Sequence, residues 1–300
     1  MTQKKKALCI TWLGTAGFLI ESGHDGILID PYVSRAGMLR VFLGLPLRPD
    51  QPAIDKWLVR LETKIHAVIV SHSHFDHCLD APYFALKTNA LLMGSKSTLN
   101  VGRGVGLDEK YLKEAEIGRD IHIGPFTLKF IESAHGPAFL GKVPYPGKID
   151  QPLTGPHPAR DYKLGETYSI LIKHPSGAIL HHGSAGFING MYEGITSDMA
   201  LLGIGGRENT QTYLENVALK LNAKIVVPIH YDNFFVSLDK KMKYLPGVNF
   251  REFLATAGKY RNIFELKVLS IGEKWSCNSL ISDELVKSNP NRHPGESRGP

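Results

Sequence analysis

The chain has 300 residues, of which 43% are hydrophobic and 21% charged, with a formal net charge of +6. That apolar share is enough for a sizeable core and excludes global disorder, while the length fits either two domains of ~150 residues or one large layered α/β domain. The modest basic excess permits attraction of anionic substrates without demanding nucleic acid, and no concentrated basic stripe supports a nucleic-acid surface.

Lys4, Lys5 and Lys6 precede an apolar run over 7–20 that has the outline of a signal peptide. Thr11, Gly14, Thr15 and Gly17 interrupt the run, no small-x-small cleavage site follows, and it is too short to span a bilayer. A strand pair over 8–13 and 18–21 is expected instead, with a third strand over 27–29 ending at Asp30-Pro31. Residues 38–47 (MLRVFLGLPL) form an apolar insertion. If exposed, it would suit an acyl chain, a membrane surface or a second subunit; packing into the domain is the open alternative. A helix is expected over 53–63, with Ile54, Trp57, Leu58 and Leu61 on one side, then an all-apolar strand over 67–70 buried on both faces.

Further along, helical patterns at 81–86 and 96–101 flank a strand at 90–93, and 120–123 with 127–132 read as a hairpin. Residues 137–165 are rich in Pro and Gly, and a loop of that length in a compact domain is usually functional or disordered. Strands are expected at 167–173, 177–181, 199–204 and 224–229, and helices at 210–221 and 250–257. Residues 288–300 (SNPNRHPGESRGP) have almost no apolar content, so the reading is one domain over 1–287 and a disordered tail. Cys9, Cys78 and Cys277 are far apart and odd in number, which argues against a disulfide framework and for a reducing, cytoplasmic setting. No segment reaches the length of a transmembrane helix.

The strongest signal is Ser71-His72-Ser73-His74-Phe75-Asp76-His77, directly after the 67–70 strand. Three histidines and an aspartate within six positions, at the end of a buried strand, sit where the backbone can aim several side chains inward. Imidazole and carboxylate are good ligands for zinc and other borderline ions. His72 and His74 alternate as strand residues do and can face one ion; Asp76 and His77 lie past the turn and can face a second.

HSHFDH resembles the HxHxDH signature of the metallo-β-lactamase superfamily, and the likeness extends over roughly 8–280. The resemblance implies an α/β fold, a four-layer αββα sandwich with metals at one edge between two sheets. It implies that Asp30 supports the metal-binding loop without ligating, that His135 completes a first site with His72 and His74, and that His230 completes a second with Asp76 and His77. The family's bridging aspartate is replaced here by Ser184, in His181-His182-Gly183-Ser184. A neutral hydroxyl is a poor bridge between two cations, so a weaker second site and a preference for an anionic substrate group follow. His182 is a candidate to compensate as ligand, proton donor or oxyanion stabiliser, with a packed strand histidine as the open alternative. Tyr231 and Asp232, after His230, are candidates for orienting a ligand or donating a proton, or for a purely structural role.

The stretches TWLGTAGFLIE, DMALLGIGG and PIHYDNF resemble the branch containing N-acyl phosphatidylethanolamine phospholipase D and ascorbate-phosphate lactonase. The implied activity is a metal-dependent hydrolase with one or two zinc ions (iron or manganese being alternatives). Metal-bound hydroxide, with Asp76 and His182 as catalytic side chains, would attack an ester, lactone, amide or phosphodiester of a small metabolite or lipid. The reading from a different class is a catalytically attenuated, metal-supported binding protein, because of Ser184. Homo-oligomerisation is left open.

Overall fold

The run after the amino-terminal lysines folds as a strand pair, β1 (Leu8–Gly14) and β2 (Gly17–Ser22), continued by β3 (Asp25–Ile29) in an antiparallel meander. The computed structural model describes residues 7–138 and 141–277, so the boundary at 287 and the tail at 288–300 lie outside the described residues. There follow α1 (Met38–Phe42), α2 (Gln51–Leu58), β4 (Lys64–Ile69), α3 (Phe75–Cys78), α4 (Ala81–Thr88), β5 (Leu91–Gly94), α5 (Lys96–Gly104) and β6 (Leu112–Glu114). The hairpin β7 (Asp120–Ile123) and β8 (Phe126–Glu132) opens the second half, with β9 (Tyr168–His174), β10 (Gly177–His182), β11 (Met199–Gly203), α6 (Thr210–Asn216), β12 (Ile225–Ile229), α7 (Phe250–Ala257), β13 (Glu265–Leu266) and β14 (Lys274–Ser276) after it.

Among the described residues these strands make two seven-stranded sheets, in the orders β14-β1-β2-β3-β4-β5-β6 and β13-β12-β11-β10-β9-β8-β7. Side-chain alternation explains the layers. In β3 and β4, Ile27, Ile29, Ala67 and Ile69 join Phe130 and Ile170 of the other sheet in one core. Leu28, Val68 and Val70 point the other way, against Ile54 of α2, Phe84 of α4 and Val101 of α5. Tyr213 and Leu214 of α6 and Phe253 of α7 cover the second sheet. Helices outside two facing sheets are the four-layer αββα sandwich, and β4 is buried on both faces because its apolar run leaves no wet side.

Local chemistry sets the helix ends. The Asp50 carboxylate accepts the Ala53 N–H at 3.1 Å and Pro52 occupies the first turn, so α2 begins earlier than the 53–63 pattern indicates and stops before Leu61. α6 ends at Asn216, short of the expected 221, yet Val217 and Leu221 remain buried through irregular turns. The short strands β6, β13 and β14, and the five-residue α1, have no readable period. No helix among the described residues is long and apolar enough to cross a membrane.

Candidate metal centre

The centre is built at the ends of β3 and β4. Asp30, fully buried, leaves β3 in the left-handed region (φ +43°) with its N–H on Ile69 O at 2.9 Å. Its carboxylate accepts the Ser71 N–H at 2.7 Å, the Ser71 hydroxyl, and His77 Nδ1–H at 2.8 Å. Burial alone would raise this carboxyl, but His77 beside it outweighs burial and holds it below the ordinary carboxylate range. The backbone then runs through His72 and His74 into α3, a single helical turn whose Asp76 and His77 turn back toward the same space.

Two triads result. Potential ligand atoms of His72, His74 and His135 lie within 4.8 Å of one another, and so do those of Asp76, His77 and His230. The triads abut: the His72 and His77 ring centroids are 3.9 Å apart, and His72 and His74 each stand within 4.9 Å of His135. Asp76 Oδ2 lies 3.2 Å from His230 Nε2 and 3.7 Å from His77 Nε2. Each backing contact leaves the other ring nitrogen free. His74 Nε2–H donates to Pro144 O at 2.9 Å, leaving Nδ1; His135 Nδ1–H donates to Gly136 O at 2.6 Å, leaving Nε2; His77 gives Nδ1 to Asp30. His72 Nε2 is buried with no partner at all. Metal-binding histidines are oriented in this way, with the second nitrogen tied to a carbonyl or carboxylate.

The protonation states agree with ligation. Burial pulls His74 down to about 4 and His135 to about 3, so both are neutral near pH 7. Burial would raise Asp76, but the His77 and His230 imidazoles outweigh it and keep the carboxylate ionised. Neutral imidazoles at His72, His74 and His135, an anionic Asp76 and an orphaned buried nitrogen fit one or two divalent ions of the zinc type. Burial would lower His77, but Asp30 and Asp76 outweigh it and raise it, so an ion held there displaces its proton.

His182 is a correction to the catalytic role expected of it. Adjacent residues of β10 face opposite sides, so His181 Nε2 reaches Ala16 O (2.7 Å) and stands 3.9 Å from Asp30, whereas His182 points away. His182 Nδ1 meets Ser169 Oγ at 2.7 Å and the Tyr192 hydroxyl at 3.0 Å, and its ring packs on Tyr213 of α6. Ser184 does stand beside the centre; its hydroxyl accepts the Gly136 N–H at 3.1 Å and so steadies the turn that carries His135. Asp232 accepts the Thr15 N–H at 2.8 Å and pairs with buried Arg35 at 2.7 Å, and Thr15 O in turn accepts the His230 N–H at 2.9 Å. Tyr231 is structural: its ring stacks on Phe250 at 4.1 Å. Cys78 is packed in the outer core.

Segment 137–165 does meet the metal-binding motif. Ser73 N–H donates to Leu164 O at 3.0 Å, and the Ser73 hydroxyl to Lys163 O at 2.8 Å. Tyr145, with φ +42°, places its ring 6.2 Å from that of His74. Within the same stretch Lys148 pairs with Glu166 and His157 with Asp161. Sequence reasoning missed Tyr145, His181 and Arg35, which belong to no local pattern that marks a site.

A sequence model of the beta-lactamase superfamily domain matches residues 9–230, and the chain belongs to that superfamily. It is 27% identical over 231 residues to a UPF0173 metal-dependent hydrolase of Myxococcus xanthus, covering 75% of this chain and 71% of that one. To a protein of the same description from Pyrobaculum islandicum it is 29% identical over 230 residues, covering 75% and 84%. Among solved structures, Igni18, a metallo hydrolase from Ignicoccus hospitalis, superposes with a TM-score of 0.60 at 17% identity, over 90% of this chain and 98% of that chain. The metallo-beta-lactamase fold protein YhfI of Bacillus subtilis gives 0.55 at 15% identity, over 91% and 100%. These two likenesses show the fold.

Proposed function

We propose that the chain is a metal-dependent hydrolase, the class for which its curated relatives are named. The observation that carries this reading is the meeting of two ligand triads whose backing hydrogen bonds free the facing nitrogens. His72, His74 and His135 would hold one divalent ion, and Asp76, His77 and His230 a second; zinc suits such imidazole-rich sets, with iron or manganese as alternatives. When bound, the ion supplies Lewis acidity and draws water toward ionisation near neutral pH.

The chain's own residues orient and screen the reaction. Asp30, Pro144 O and Gly136 O fix the tautomers of His77, His74 and His135. Asp76, ionised, is the carboxylate able to accept a proton at the centre. Phe234 stands edge-on to His230 with centroids 5.3 Å apart and helps keep bulk water out. Asp76 is the sole carboxylate among the six ligating residues, so the centre favours a substrate with a phosphate or carboxylate near its scissile ester, lactone, amide or phosphodiester bond. The likeness of several stretches to a branch acting on phosphorylated lipids and lactones supports the same preference.

Transition-metal analysis of protein purified without added metal tests this reading, together with a substrate panel of phosphodiesters, lactones and thioesters. At least one equivalent of metal is expected, with hydrolysis that chelation abolishes and metal restores; His72→Ala loses both. Metal content near zero overturns the proposal. The attenuated-binder reading draws on Ser184, whose hydroxyl is engaged by Gly136 and supplies no charge. It is selected if metal is held but nothing on the panel turns over and Ser184→Asp then raises both metal content and hydrolysis.

A further inference from the structure

We propose that α1 and the residues just after it are a docking surface for an anionic lipid bilayer, an assignment that does not depend on the hydrolase reading. Five of the thirteen exposed large hydrophobic residues among those described fall within positions 38–45: Met38 at 46% exposure, Leu39 at 69%, Phe42 at 81%, Leu43 at 58% and Leu45 at 43%. The helix buries none of its own residues. It is nevertheless anchored: Val41 packs on the outer core, and Leu47, fully buried, donates its N–H to His157 O at 2.8 Å. The hydrophobic side chains are therefore held outward on a fixed support. The segment leaves the end of β3 at Asp30 and pairs with the same long loop that backs His74, so it lies on the edge of the sandwich that carries the metal centre.

Two observations choose the occupant. The first is charge. From Tyr32 to Pro49 the sequence contains no acidic residue; Arg35 is buried and paired with Asp232, while Arg40 and Arg48 are exposed beside the apolar side chains. An apolar face interleaved with arginine matches the interface of a bilayer containing anionic lipid. The second is symmetry. A second copy seated about a two-fold axis would set this arginine-bearing face against the same face of its partner, like charge against like, because such an interface is self-complementary. A bilayer has no such restriction. It receives projecting side chains without needing a matching groove, and its phosphates meet the arginines.

The test is flotation of the full chain with vesicles of phosphatidylcholine alone and of phosphatidylcholine mixed with phosphatidylglycerol, alongside light scattering without vesicles. Binding to the anionic vesicles is expected, weakened by added salt and by Arg40→Gln with Arg48→Gln. The Leu39→Ser, Phe42→Ser double variant should partition at least about tenfold less well. Both altered side chains are exposed, so its urea unfolding midpoint should match the parent. In a second measurement, Phe42→Trp should shift tryptophan emission to shorter wavelength when anionic vesicles are added. Absence of binding, equal binding to both vesicle types, equal binding by the double variant, or an unshifted Phe42→Trp would overturn the proposal. So would a dimer in solution that the double variant dissociates, which would give this face to a second copy.

Discussion

Asp30 concentrates more structural consequence than any other single side chain near the centre. Its carboxylate receives three donors, from Ser71 twice and from His77, while its own backbone sits at φ +43°, a conformation that costs of order 1 kcal/mol and persists because Ile69 and Ser71 fix it from both sides. Asp30→Asn removes the charge and turns one acceptor oxygen into an NH₂ facing a donor. We expect the metal-free protein to lose about 2–4 kcal/mol in urea unfolding, since a buried donor is left without its partner. Affinity for an ion at the Asp76, His77 and His230 triad should fall about 10–100-fold in a competition titration, because His77 is no longer aimed. The supporting role of Asp30 was available only through the family resemblance, since an aspartate that closes a strand says nothing by itself of the loop it will hold. The pair at 181 and 182 was legible only as a pair. Which of two neighbouring strand residues faces the core between the sheets depends on the register of β10, and composition carries no trace of that.

At the scale of elements, the turn between β1 and β2 is latched to the end of β12. Asp232 holds the Thr15 N–H, Thr15 O holds the His230 N–H, and Arg35 neutralises Asp232 in a site where the two side chains are only 2% and 1% exposed. Gly14 is required here: φ is +88°, and a Cβ would come within 1.9 Å of Arg35 Nη2. Arg35→Met should destabilise the fold by about 3–5 kcal/mol, because it leaves the Asp232 carboxylate buried and uncompensated. Adding Asp232→Asn should recover part of that loss, and equal midpoints for the single and double variants in urea would refute the latch. No sequence pattern announces this contact, which joins residues about two hundred positions apart from two different sheets. The strands that were legible, such as β12 and the second half of β4, are continuous apolar runs closed by polar residues. The edge strands β6, β13 and β14 are two or three residues long and take their conformation from the neighbours they pair with.

Across the whole molecule the metal centre is a seam. The first sheet delivers His72, His74, Asp76 and His77 at the end of β4, and the second delivers His135 after β8 and His230 after β12. The motif alone disclosed the first half, whereas the second half needed the family's order of histidines, since a lone histidine after a strand has no meaning by itself. Because neither sheet completes the site, we read the described residues as one cooperative domain that unfolds in a single transition, and its pH dependence follows from groups outside the ligand set. Burial pulls His182 to about 3, against an ordinary value near 6.5 in the unfolded chain. Below pH 6.5 the unfolded chain therefore binds a proton that the folded protein refuses. Stability falls by about 1.4 kcal/mol per pH unit from this group until the pH approaches 3. His181, also lowered by burial, acts in the same direction. Asp30, held below its ordinary value, loses its contribution only at more acid pH, as the pH falls through its folded value. His182→Phe should be less stable at pH 7, since Ser169 and Tyr192 lose a partner, yet its urea stability should decline less steeply than the parent's between pH 6.5 and 4.5, by about one proton's worth of slope. Parallel slopes in the metal-free proteins would mean that His182 takes up its proton without leaving the fold.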